Sequence, residues 1–256
     1  MRNASLTTAL CLLLAAASAQ AETVRLTVTV QNLAPANGIA FAPLHVGFGA
    51  GAFDAFNIGS AATVPIISVA EGGAGGAWQA AFAAAEPDAV RGTIGGLLLS
   101  GASAQMSFLV DSASQGFFTF ASMVVPSNDF FIGNDDPHEY ALFDANGALQ
   151  INQITLRANE IWDAGSEVFD PAAAAFVGDN GLRTDQNSVV AFNFAELAAF
   201  NGLLTGAGYN FQSGLGADSE VYRISFTAQP VPEPASIAML LAGLGVVGAS
   251  LKRRRG

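Results

Sequence analysis

Val24-Arg25-Leu26-Thr27-Val28-Thr29-Val30-Gln31 alternates apolar and polar side chains without a break. Successive side chains of an extended chain point to opposite faces, so this stretch reads as a strand with its valines and Leu26 on a buried face. Near the other end, Tyr222, Ile224 and Phe226 alternate with Val221, Arg223 and Ser225 in the same way. Between them, Gln105–Val110, Phe117–Val125, Gln150–Arg157 and Ser188–Phe194 are further strand candidates. Asp144-Ala145-Asn146-Gly147 reads as a turn between two apolar stretches. Val64–Glu71 and Ala77–Ala85 read as helices instead, and the glycine cluster Gly72-Gly73-Ala74-Gly75-Gly76 between them reads as a flexible connection. Short strands separated by glycine-rich turns predict an all-β fold, an antiparallel β-sandwich with short helical insertions. With 28 glycines and 19 phenylalanines, its core is expected to pack phenylalanine against small residues.

Of the 256 residues, 51% are apolar and 12% charged, which excludes intrinsic disorder. Arg2, Lys252, Arg253, Arg254 and Arg255 lie at the two ends. Between them stand five arginines (Arg25, Arg91, Arg157, Arg183 and Arg223) and 20 of the 21 acids, the other being Glu233. So acidic a body repels phosphate backbones, and nucleic acid is excluded as a partner. Residues 1–21 read as a signal peptide: Arg2, an apolar run from Ala9 to Ala17, and small-x-small sites at Ala17-Ser18-Ala19 and Ala19-Gln20-Ala21. Cys11, the only cysteine, lies inside that run, so the processed protein is expected to carry no thiol and no disulfide. Residues 22–229 then form one working domain with no visible linker or repeat.

Chemistry-bearing residues are few. His45 and His138 stand 93 positions apart without a partner cysteine, which argues against zinc. No Gly-x-Ser-x-Gly elbow occurs. His45 reads as a satisfied, partly buried side chain and His138 as a solvated loop residue. Nine carboxylates cluster between Asp129 and Asp170. Such a cluster is either a solvated acidic face or, on loops at a sandwich end, a Ca²⁺ site, since that ion takes six to eight oxygens in irregular geometry.

The C-terminus is an address. Val231-Pro232-Glu233-Pro234-Ala235 precedes an apolar stretch to Leu251, closed by Lys252, Arg253, Arg254 and Arg255. Ala235 to Leu251 is short for a membrane-spanning helix, and the basic cluster would stay cytoplasmic. Together Pro232, Glu233, Pro234, the short apolar segment and the basic cluster resemble the PEP-CTERM sorting signal of Gram-negative bacteria. That resemblance implies an exosortase as processing partner, tethering through the short transmembrane helix of the sorting tail (residues 230–256) before processing, and then release to the cell surface or extracellular matrix.

The domain carries a second resemblance. Ser122-Met123-Val124-Val125-Pro126-Ser127-Asn128-Asp129-Phe130-Phe131-Ile132-Gly133 and Trp162-Asp163-Ala164-Gly165-Ser166-Glu167 resemble two segments of the spondin N-terminal domain. Val28–Leu33, Phe53-Asp54 and Val69–Gly73 resemble its opening. The resemblance implies a sandwich like that of calcium-dependent lipid-binding domains, with Ca²⁺ held at one end by Asp129, Asp163 and Glu167. Glutamate at 167 departs from the aspartate of animal members. The resulting expectation is a non-enzymatic, calcium-binding adhesion or matrix module. The alternatives are an exopolysaccharide-binding module using Trp78 or Trp162, or a surface hydrolase built on two carboxylates, for which no pair stands out by spacing. Glu71 is a further candidate for a partner surface.

Overall fold

The structure, a computed structural model, describes residues 23–231. The signal peptide and nearly all of the sorting tail, including Pro232, Glu233, Pro234, its apolar segment and Lys252 to Arg255, lie outside the described residues.

Two antiparallel sheets face one another. The first has the order β5(Ser103–Asp111), β1(Thr23–Asn32), β11(Glu220–Pro230), β8(Gln153–Arg157). The second runs β10(Ala191–Phe192), β9(Trp162–Asp163), β7(Phe130–Gly133), β6(Phe117–Val125), β3(Leu44–Gly49), β4(Val90–Ile94), with β2(Ala40–Phe41) joining β6. The opening alternation therefore decides the architecture. Val24, Leu26, Val28 and Val30 are buried, and β1 sits in the middle of its sheet, between β5 and β11. Their polar neighbours join Thr227, Ser225, Gln105 and Ser107 on a solvated outer face, where Thr27 Oγ1 and Ser107 Oγ hydrogen-bond at 2.8 Å.

The core is phenylalanine-rich, as composition suggests. Phe118 lies between Phe48, Phe120 and Phe226, with ring centroids 5.0–5.4 Å away. Aromatic pairs at such separations add about 0.5–1.5 kcal/mol beyond burial. Asn32 is a polar side chain buried at the rim of this core. Its amide donates to Ile39 O (2.8 Å) and Leu98 O (2.9 Å), and its Oδ1 accepts from Ala34 N (2.9 Å). Full pairing of this kind is what makes a buried amide tolerable.

Two helices cover the outer face of the second sheet, α1(Val64–Gly72) and α2(Gly76–Ala85). Thr63 caps α1 through Ile66 N, and Gly73 ends it in the left-handed region at φ 63°, conformations that suit these residue types. The glycine cluster is packed at Gly73 and Gly75, while Gly72 and Gly76 face open space. A Cβ on Gly75 would sit 2.2 Å from His45 Nδ1, and one on Gly47 would sit 2.1 Å from the Phe82 ring. Gly75→Ala is expected to cost about 2 kcal/mol through overpacking, read as a lower denaturant midpoint at unchanged m-value.

Both chain ends leave from the same end of the sandwich. Val24 pairs with Pro230, and Val231 N donates to Thr23 O at 3.3 Å. β6 starts next to this end and carries the chain away from it, so the segment 126–129 lies at the opposite, distal end.

Candidate functional site

At the distal end the turn after β6 delivers Asp129, and the short strand β9 delivers Asp163. Phe130 and Asp163 are register partners, and Ala164 N donates to Asp129 O at 3.1 Å. Gly165 follows at φ 64°, a conformation open to glycine, and turns the chain back over Asp129. Three donors then converge on Asp129 Oδ2: Ser166 N (2.7 Å), Ser166 Oγ (3.0 Å) and Glu167 N (3.0 Å). None of these bonds uses Oδ1.

Asp129 is 2% exposed. Burial, and then the negative charge of Asp163, push its carboxyl up to about 7, against the opposing pull of the Ser166 and Glu167 donors. Asp163 accepts from Gly165 N (2.7 Å) through Oδ1 and from Asn193 Nδ2 (3.1 Å) through Oδ2. Asn193 also donates to Glu196 Oε1, and burial, with Asp163 as a lesser cause, raises the Glu196 carboxyl. The electrostatic neighbourhood is therefore Asp129, Asp163 and Glu196, the last two bridged by the Asn193 amide.

Glu167 points elsewhere. Its Oε1 accepts from Asn128 Nδ2 at 3.0 Å, and its carboxyl, raised mainly by burial, feels Glu71, Arg183 and Asp185 rather than Asp129. Glu71 is tied down by Arg183, whose guanidinium reaches both of its oxygens at 2.8 and 2.9 Å and also Asp185 at 2.7 Å. The structure thus brings two of the three expected ligands together and turns the third carboxylate into a neighbouring ion-pair network. Among the described residues no group of three or more acids or histidines is close enough to form a metal centre by itself. Glu196 and Asn193 escape a reading by spacing because they enter through a 3-10 turn, Phe194–Phe200, some 30 residues past Asp163.

The other candidates are occupied by structure. His45 bonds Thr93 Oγ1 and Gly73 O, each at 3.1 Å, and burial lowers its pKa, so it stays neutral. His138 is solvated beside Asp136, as expected for a loop residue. A cleft of about 310 Å³ beside Glu86 is lined by Gly49, Ala50 and Asp88 among others. Glu86 itself accepts from Ala50 N, Ala52 N (2.7 Å) and Phe53 N (2.9 Å), which makes it the anchor of the 50–53 loop. Trp78 is fully buried against Phe53 and Phe82, so it offers no ring face to a sugar.

The comparisons with known proteins bear on the tail. The PEP-CTERM protein-sorting motif matches residues 230–255. No curated protein matches the chain. The match begins on the last residue of β11, so the signal follows the sandwich without a spacer. The chain is thus a mostly-β protein bearing the signal for export and membrane-anchored sorting towards the cell surface, a motif that exosortase processes.

Proposed function

We propose that the chain is a non-enzymatic adhesion or matrix module whose distal end binds Ca²⁺ through Asp129 and Asp163. One observation carries this reading: two carboxylates are held together at a buried site where one of them is driven up to about 7. A fold keeps such a pair at a cost unless a proton or a cation joins it. The donor set is made entirely of hard oxygens on irregular loops, which suits Ca²⁺ better than Mg²⁺ or zinc. The two spondin-like segments supply this pair, and they touch each other here. Glu167, the third ligand that resemblance implies, would have to turn away from Asn128 to join; its backbone already bonds Asp129. The bound ion would neutralise the pair and fasten the 161–168 loop to β7. Export and surface sorting agree with a structural role in a calcium-containing exterior.

Saturating Ca²⁺ is expected to raise the melting temperature of the full chain, and EDTA to remove the gain. A ligand at 100 times its dissociation constant adds about 2.7 kcal/mol, or roughly 5–10 °C for a domain of this size. The gain should grow with pH. Asp129 binds a proton more tightly in the folded state, so without calcium its contribution to stability falls as pH rises from about 4 to about 7. Calcium competes for the same oxygens and recovers the loss above that window. Absence of any shift at pH 8 would remove calcium from the account.

A further inference from the structure

We propose that the free edge of β5 is a self-association site, pairing antiparallel with β5 of a second copy about a two-fold axis through Met106.

Among the described residues strand β5 ends its sheet and pairs only with β1, in nine consecutive register partners without a shift. Asn32 N donates to Ala102 O, which places the hydrogen-bonding groups of Ala102 and every second residue after it towards β1. Those of Ser103, Gln105, Ser107 and Leu109 consequently face outwards, all four being exposed residues. Asp111 continues the series, but its N–H and C=O are closed off by Gln115. Strand β4 packs beneath through Gly92 against the Phe108 ring and shares no ladder with β5.

Long edges of this sort are normally blunted by lysine, proline, a bulge or brevity. The other edges obey that rule: β10 has two residues, β8 has five and ends on Arg157, and β4 carries Arg91. From Ser103 to Val110, β5 has no charge, no proline and no bulge, while Met106 is 42% and Leu109 50% exposed.

The occupant follows from charge and register. Two copies of a chain with net charge −11 repel each other over most of their surfaces, and this edge is uncharged. One antiparallel register uses every outward group: Gln105 opposite Ser107 of the second copy, and Ser103 opposite Leu109. Four N–H and four C=O groups per strand are then satisfied, and Met106 meets its own copy as a close, non-hydrogen-bonded pair. Such a contact buries less than the roughly 1,600 Å² of a standard interface, so it is concentration-dependent. Because the pairing is antiparallel and Val231 leaves β11 beside Thr23, the two exit points lie at opposite ends of the pair. It therefore joins released copies, or copies on opposing surfaces, rather than neighbours standing upright in one membrane.

The test is site-specific disulfide trapping on the full chain, purified in detergent, in a Cys11→Ser background that leaves each introduced cysteine alone. A close antiparallel pair has Cα atoms about 4.5 Å apart, within disulfide range. Met106→Cys is expected to give a covalent dimer on mild oxidation, while the exposed Gln153→Cys on the opposite edge stays monomeric. Adding Gln105→Lys and Ser107→Lys sets like charges opposite one another and should abolish trapping, and sedimentation of the otherwise unmodified chain should shift from monomer to dimer with concentration. Trapping of Met106→Cys no faster than Gln153→Cys, trapping that survives the lysines, or a monomer at all concentrations overturns the proposal.

Discussion

Asp129→Ala is expected to lower the melting temperature by about 10 °C, the larger of two effects that separate the site from an ordinary acidic loop. The substitution strands Ser166 N, Ser166 Oγ and Glu167 N at a buried position. Each unpaired buried donor costs about 1–3 kcal/mol, and relief of the repulsion with Asp163 offsets part of that, leaving on the order of 3–4 kcal/mol. For a domain of this length each kcal/mol moves the midpoint by roughly 2–4 °C. Asp129→Asn is the informative companion, because it keeps an oxygen for the same donors and removes the charge. In the absence of calcium the Asn variant should melt close to the parent near pH 5. Above pH 7 it should exceed the parent, since the parent alone loses stability as Asp129 ionises. Thermal melts of both variants across pH 5–8 provide the check. A parent and an Asn variant that run parallel across that range would show that burial of the Asp129 charge is not what the geometry indicates.

Phe118→Ala should cost a comparable 3–5 kcal/mol for a different reason. Phe118 is fully buried, stacks on Phe120 and meets the edge of Phe226 from the opposite sheet, so it ties the two layers together. Its removal loses the transfer energy of the ring and leaves a cavity between strands that cannot collapse independently. Urea denaturation should show the midpoint fall at unchanged slope, with the calcium response preserved in the residual folded population. A loss below about 1 kcal/mol would mean that the layers are not joined through this ring.

Most strands that could be recognised in the sequence, β1, β5, β8 and β11, have one wet face and alternate, and their extents agree with the reading to within a few residues. β6 is buried almost throughout and was legible through the length of its apolar, β-prone run instead. β3 escaped because Leu44 to Gly49 is buried throughout, with the core on one side and Phe82 of α2 against Gly47 on the other. A strand covered on both faces has no polar alternation to read. β9 and β10 are two residues long, too short for any period, and most of the Ser188–Phe194 candidate is loop and 3-10 turn. At the site, Asp129 and Asp163 were legible through the two resembling segments, and the structure shows why they meet: β7 and β9 are hydrogen-bonded neighbours. The orientation of the Glu167 side chain was not legible. It is set by Asn128 and by the Glu71–Arg183–Asp185 network, whose members come from a helix and a loop 112 positions apart. No local pattern encodes an ion pair of that span.

The claim that Asp129 and Asp163 form a cation site is tested most directly by calorimetric titration of the full chain with CaCl₂ at pH 8, alongside Asp129→Asn and Asp163→Asn. The expected result is one saturable binding event in the parent, accompanied by proton release that fades as pH rises well above 7, and none in either variant. A parent that gives no heat of binding, or variants that bind as the parent does, would contradict it.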